Sequence, residues 1–293
     1  MAGGILAFSL GALLAIVQGS SVNFAQAAIF YAIVLLGDLS THFSNDYFDV
    51  EVDKNFEQKK FFSGKTILVQ YPELRPQYRI IALSLVGASL AMSVVMFVFQ
   101  AAPIELVLIM VGANFVGWFY SAPPLRLISR GLGEIGLAFA AGFAIPAMGY
   151  LSVRGQLDPL FLSFAFPFMM YGLMLSLSLE APDREIDLKG GKRNIAVRKG
   201  EPFVFALVLA VALLASLAFL FTGLLAPQGV VDFRLVFLFS ILPLSSGFAG
   251  FLRRFKKRES NQLSTLNVGS LFIFNILMVL YLFTIATASL ILL

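Results

Sequence analysis

Apolar stretches long enough to cross a bilayer recur from one end of this chain to the other, and that recurrence leaves few folds open. They fall at 4 to 20, 24 to 46, 79 to 99, 104 to 121, 132 to 152, 159 to 180, 203 to 224, 233 to 252 and 266 to 291. A helix needs about 20 predominantly apolar residues to span the hydrocarbon core, where every backbone N–H and C=O must be bonded within the segment. Of the 293 residues 59% are apolar and only 13% are charged, about half the share in a soluble domain, so little chain remains for a water-facing domain. The expectation is an all-α polytopic membrane protein, with nine transmembrane helices around a central cavity and a single domain over 1–293. The chain has no cysteine, which excludes disulfides and thiolate metal sites.

Charge placement orients the spans. The connections after spans one, three, five and seven are short or nearly neutral, and the others carry nineteen of the 21 Lys and Arg residues, leaving Arg154 and Arg234 opposite. Positively charged connections stay on the cytoplasmic side, which sets the topology. The net charge of +4 is explained by this asymmetry and calls for no nucleic-acid partner. Helix signals agree: Asp158-Pro159 reads as an N-cap followed by proline at N1, and Pro202 opens span seven in the same way. Pro146, Pro167 and Pro243 lie inside spans, where each is expected to kink its helix.

Against this background Asn45-Asp46-Tyr47-Phe48-Asp49-Val50-Glu51-Val52-Asp53 stands out, at the expected cytoplasmic end of span two. On a helix Asn45, Asp49 and Asp53 fall at i, i+4 and i+8, with Asp46 one residue along, so their oxygens share a face. Oxygen ligands without thiol partners suit a hard divalent cation such as Mg2+, which takes one or two carboxylates together with waters and the phosphates of a substrate. A second cluster follows span six, where Asp183 and Asp187 lie at i and i+4. Both clusters emerge on one side, so two carboxylate faces can oppose each other and bracket a pair of metal ions with a diphosphate between them. The plainer reading is a pair of solvated flanks paired with Lys54 or Lys189.

Asp38 and His42 precede Asp46 by eight and four positions and continue its stripe into the membrane, where an ionisable residue is costly and by default functional. They either reach toward a substrate or pair locally with each other. Asn114, in span four, is a candidate of the same kind. Small residues in spans one, four and five (Gly11, Ala12, Gly112, Gly117, Ala140, Ala141 and Gly142) either leave room for a substrate or bring helices close.

Asn45-Asp46-x-x-Asp49-x-x-x-Asp53 resembles the first acidic signature of the UbiA superfamily of intramembrane prenyltransferases, and Asp183-x-x-x-Asp187 resembles its second. Tyr120-Ser121-Ala122-Pro123-Pro124-Leu125-Arg126 is similar to the loop after the fourth helix in that superfamily. The Arg130-Gly131-Leu132-Gly133-Glu134 element and Gly191-Lys192-Arg193-Asn194-x-Ala196-Val197 most resemble its dihydroxynaphthoate, menaquinone-pathway branch. Two positions depart from the branches. Lys59-Lys60-Phe61-Phe62 stands where benzoate-prenylating members carry a repeated Arg-Pro pair, and Glu180 stands where naphthoate enzymes usually show asparagine.

The resemblance implies an enzyme that moves a polyprenyl group from its diphosphate to an aromatic, quinone-precursor acceptor, with two Mg2+ ions held by Asn45, Asp46, Asp49, Asp53, Asp183 and Asp187. Lys54, Lys65, Arg126, Lys192 and Arg193 are the basic candidates for the diphosphate, each equally readable as an ordinary positive flank, and Tyr120 and Ser121 come with the matched loop. The two segments Lys54 to Gln77 and Lys189 to Lys199, rich in lysine and glycine, suit lids over a diphosphate. A glycerol-phosphate lipid or a tetrapyrrole remains open as acceptor. From another class, a cation-coupled transporter also combines several spans, buried carboxylates and broken helices, although carriers place their ionisable ligands near the bilayer midplane.

Overall fold

The computed structural model describes residues 2–54, 67–225, 229–256 and 259–291, and there the chain is helical throughout, joined by short turns. Among the described residues eight helical stretches are long and apolar enough to cross a membrane: Phe24–Glu51, Pro72–Gln100, Ile104–Ser121, Gly133–Arg154, Pro159–Lys189, Glu201–Leu225, Phe233–Arg253 and Ser260–Ala288. The ninth expected span, 4 to 20, is a helix of 15 residues, α1 (Ala2–Ile16). At 1.5 Å per residue it rises about 22 Å against a hydrocarbon core of about 30 Å. The chain then turns through Gly19, whose φ of 82° is open to glycine at no steric cost.

The remaining helices are α2 (Phe24–Asp53), α3 (Ile67–Gln70), α4 (Arg75–Gln100), α5 (Ile104–Ser121), α6 (Gly133–Phe139), α7 (Ile145–Arg154), α8 (Pro159–Glu180), α9 (Arg184–Lys189), α10 (Ile195–Lys199), α11 (Glu201–Leu225), α12 (Phe233–Arg253) and α13 (Ser260–Ile291). They form two compact units, one of Met1–Tyr31, Leu137–Pro182 and Glu201–Leu293, the other of Ala32–Gly136 and Asp183–Gly200.

In the first unit, α1 and α7 pack backbone to backbone. A Cβ on Gly11 would lie 1.9 Å from the Pro146 carbonyl oxygen, and one on Gly149 would lie 2.0 Å from that of Phe8. Between α6 and α7 the chain widens into a π-turn at Ala140–Ala144, just ahead of Pro146, which lacks the N–H a regular helix would need there. Within that turn Gly142 meets α8, where a Cβ would stand 2.4 Å from the Phe168 carbonyl oxygen. These glycines serve close helix packing. Phe164, Phe168, Tyr171, Phe219, Phe233 and Phe274 interlock in an aromatic core between α8, α11, α12 and α13, with Phe164–Phe233 and Tyr171–Phe274 centroids 4.9 Å apart. Asp158 caps α8 as expected, accepting from the Leu160 and Phe161 amides at 3.0 and 3.2 Å.

The second unit carries the acidic stretches. Here α2 meets α5 at Gly117, where a Cβ would lie 2.1 Å from the Thr41 hydroxyl oxygen. Asn114 ties the same helices to α4: its amide donates to the Ser89 hydroxyl at 3.2 Å and to the Met110 carbonyl at 2.8 Å, and Ser89 donates to the Ile33 carbonyl at 3.1 Å. Helix α2 continues seven residues beyond the span predicted from hydropathy, to Asp53, so the first acidic stretch is helical as its spacing requires. Its end is braced by α3, whose buried Leu68 packs with Val50 and Tyr78.

Candidate active site

Asp49 projects from the last turns of α2 toward the end of α5, where the buried Ser121 hydroxyl donates to its Oδ2 at 2.9 Å. The Lys192 ammonium lies 3.9 Å from the same oxygen and 3.3 Å from Asp187 Oδ1. One cation therefore stands between the two acidic stretches, and their carboxylates face each other across it. All three side chains are largely withdrawn from solvent, with 15%, 17% and 6% of Asp49, Lys192 and Asp187 exposed, so their attraction is screened less than at a surface.

Local folding fixes this contact. Helix α9 ends in a turn through Gly191, at φ 75°, which sends the Lys192 N–H back to the Asp187 carbonyl at 2.9 Å. The chain then enters α10 at Asn194, a residue with no exposed surface. Asn194 Oδ1 accepts from the Val197 amide at 2.9 Å as an N-cap, while its Nδ2 donates to Asp187 Oδ2 at 2.8 Å. The neighbouring amide of Ile195 donates to Glu134 Oε1 at 2.6 Å, across from the first turn of α6. Segment 189–199, one of the two expected lids, is thus folded and pinned at several points. The other, Lys54 to Gln77, lies outside the described residues between 55 and 66.

The other candidates divide. Asn45 and Asp46 are half-buried on α2, and Asn45 Oδ1 is buried without a hydrogen-bond partner among the described residues. Asp183 is half-buried at the start of α9, within electrostatic reach of Asp187. Tyr120 packs its ring over Gly133. Arg126 is exposed beside this cluster, with Nε 3.4 Å from the Ser121 carbonyl oxygen, and Arg193 is exposed on the segment that carries Lys192. Asp53 closes α2, but its side chain and the whole of Lys65 lie outside the described residues.

Four candidates have partners elsewhere. Lys54 pairs with Glu51 on the surface at 2.8 Å. Asp38 and His42 face each other at 3.7 Å, the local pairing weighed against a substrate contact. Asn114 spends its donors on Ser89 of α4 and on the Met110 carbonyl of its own helix, although its Oδ1, which faces Gly37, has no hydrogen-bond partner among the described residues. Two residues outside the candidate set, Asn194 and Glu134, prove to organise the second acidic stretch. Asn194 was legible as an N-cap, since it directly precedes a short helical run.

The donor set fits a hard cation. It consists of carboxylates and amide oxygens, including the orphaned Asn45 Oδ1. Among the described residues no three Asp, Glu or His side chains converge closely enough to hold a metal ion by themselves. Mg2+ characteristically completes its shell with waters and substrate phosphates, so a sparse protein contribution suits it.

No curated protein matches the chain in sequence. Among solved structures, a UbiA homologue from Archaeoglobus fulgidus bound to GPP and Mg2+ superposes with a TM-score of 0.65 at 18% identity, covering 96% of this chain and 95% of that one. A digeranylgeranylglyceryl phosphate synthase structure gives 0.70 at 13% identity, covering 96% and 91%. An apo UbiA homologue from Aeropyrum pernix K1 gives 0.63 at 13% identity, covering 92% and 97%. At these identities the likeness is one of fold, and it is the sequence of residues 5–277, matching the UbiA prenyltransferase family, that settles kinship: the chain belongs to that family.

Proposed function

We propose that this enzyme transfers a polyprenyl group from polyprenyl diphosphate to an aromatic, naphthoate-like quinone precursor and releases diphosphate. The observation that carries the reading is the meeting of Asp49 and Asp187 at the Lys192 ammonium, which makes one site of two acidic stretches far apart in sequence. Family membership removes the carrier alternative. The resemblance of Arg130-Gly131-Leu132-Gly133-Glu134 and Gly191–Val197 to the dihydroxynaphthoate branch supports the aromatic acceptor.

In the transfer the allylic C–O bond breaks with its electron pair leaving on the diphosphate, a C–C bond forms to a ring carbon of the acceptor, and that carbon loses its proton. Mg2+, which the Archaeoglobus homologue binds together with GPP, would supply charge neutralisation for the leaving group. Asn45, Asp46, Asp49, Asp183 and Asp187 are the residues that would hold it. Lys192, already withdrawn from water among carboxylates, adds a cation for the departing diphosphate, where a preorganised charge acts strongly. Ser121 and Asn194 orient Asp49 and Asp187 through their hydrogen bonds. The concentration of Lys and Arg on this side of the spans supports a cytoplasmic site.

A glycerol-phosphate lipid acceptor is the second reading, favoured by the fold similarity to digeranylgeranylglyceryl phosphate synthase. Purified protein incubated with Mg2+, labelled geranylgeranyl diphosphate and a panel of naphthoate, benzoate, glycerol-phosphate lipid and tetrapyrrole acceptors tests both, with the product identified by mass. A prenylated naphthoate is the expected product, and a prenylated glycerol-phosphate lipid instead would replace the first reading by the second.

A further inference from the structure

Glu134 has no exposed surface, yet it is a carboxylate on the first turn of α6 that the transfer chemistry does not employ. Burying such a group is costly unless it is bonded, and here Oε1 accepts one amide while Oε2 is buried without a hydrogen-bond partner among the described residues. A leucine would satisfy packing there at lower cost. What the carboxylate gains is the Ile195 N–H, at 2.6 Å.

That amide is the first of α10, and the first amides of a helix have no partner within it. Asn194 satisfies one of them, at Val197, and Glu134 satisfies another. Asn194 is therefore held from both sides. Its Oδ1 must stay on α10 and its Nδ2 on Asp187, so a shift in the start of α10 moves the amide off Asp187 Oδ2. Lys192 sits two residues before it on the same strand of chain, 3.3 Å from the other Asp187 oxygen. The rest of the segment is gripped less tightly: Arg184 Nε donates to the Ala196 carbonyl at 3.2 Å, and Arg198 reaches the Arg130 carbonyl only at 3.5 Å.

We propose that Glu134 is a positioning residue of the diphosphate site, acting through the Ile195 amide to hold Asn194 and Lys192 in register with Asp187. This assignment rests on the prenyl-transfer reading for its kinetic consequence only. The requirement is for an acceptor at Oε1, so glutamine retains the function and alanine loses it. Placement of Lys192 and Asp187 governs how the diphosphate is held, so the loss falls on donor and Mg2+ saturation more than on stability.

Donor kinetics and hydrogen exchange together test it. E134A is expected to raise the donor KM and the half-saturating Mg2+ concentration by about tenfold, the scale of one lost buried hydrogen bond. E134Q should return both to within about threefold of wild type. In an N194A background E134A should add nothing, because the residue through which it acts is gone. Effects that multiply in the double variant, or an E134Q as impaired as E134A, would show a merely structural role and overturn the assignment. Hydrogen exchange decides the matter even if E134A does not fold: in wild type and E134Q the Ile195 amide should be protected at least as well as that of Arg198, which donates to the Asn194 carbonyl at 3.0 Å. An Ile195 amide exchanging far faster than that of Arg198 overturns the proposal. Absence of prenyl transfer by wild type with every acceptor would count against the functional reading alone, since the exchange result stands without it.

Discussion

Lys192 and Asp187 are joined twice, through an ammonium to carboxylate distance of 3.3 Å and through the Lys192 N–H, which donates to the Asp187 carbonyl at 2.9 Å. The backbone bond makes the side-chain contact a property of the turn rather than of a flexible lysine finding its partner. Lysine is often a surface flank worth little energetically, but this one is largely enclosed between carboxylates.

Replacing Lys192 by glutamine should therefore lower kcat/KM for the prenyl diphosphate by roughly 10- to 100-fold, the size of one preorganised charge at a developing anion. Lys54→Gln, which removes only a surface pair with Glu51, should change it less than about twofold. Steady-state transfer assays compare the two, and equal losses would undo the assignment of Lys192 to the site.

Asp49 and Ser121 should separate by magnitude. Asp49→Ala removes an oxygen ligand and should cut turnover by about 1000-fold or more at saturating Mg2+. Ser121→Ala removes one hydrogen bond to Asp49 Oδ2 and should cost on the order of 1 kcal/mol, or about fivefold. Near-normal turnover by Asp49→Ala would contradict the metal-binding role.

Gly117→Ala places a methyl within 2.1 Å of the Thr41 hydroxyl oxygen, forcing α2 and α5 apart near the acidic stretch. Overpacking of this kind costs about 1–3 kcal/mol, so the melting temperature in detergent should fall by several degrees. Gly87→Ala, which meets nothing within 4 Å, is the control and should leave the melting temperature unchanged or slightly raised.

Asp158, a helix cap outside the candidate site, gives a pH dependence of its own. Burial alone would push its carboxyl up, but bonds from the Tyr150 hydroxyl, the Phe161 amide and the Gln18 amide, with Arg154 beside it, together hold it below the usual 3.8. A carboxyl held down in the folded state adds stability that is present above the ordinary value and lost as pH falls through the folded one. Asp158→Asn keeps the helix cap but cannot titrate. Melting curves from pH 6 down to pH 3 should show wild type losing more stability than Asp158→Asn, and parallel curves would refute the assignment.

Hydropathy by itself determined the membrane class and most of the helix bounds. Spans predicted at 104 to 121 and 159 to 180 coincide with α5 and α8, because a segment in hydrocarbon can satisfy its backbone only as helix. The spacing of Asn45, Asp49 and Asp53 likewise determined that they share a face, since α2 runs unbroken through them. The first expected span is the apolar helix α1, at 15 residues shorter than the eight other stretches.

Which residues stand opposite Asp49 was a matter for the tertiary structure. Periodicity reports only on neighbours within one helix, whereas Lys192 and Ser121 come to Asp49 from other segments, brought by the Gly191 turn and by the close passage of α5 past α2 at Gly117. The two possible uses of the small residues could be told apart only once backbones were in place: at Gly11, Gly117 and Gly142 the space is taken by neighbouring helices. Glu134 stood in a matched element without a role of its own for the same reason. In sequence it is one acid at a helix start, and only burial against the Ile195 amide distinguishes it from a solvated one.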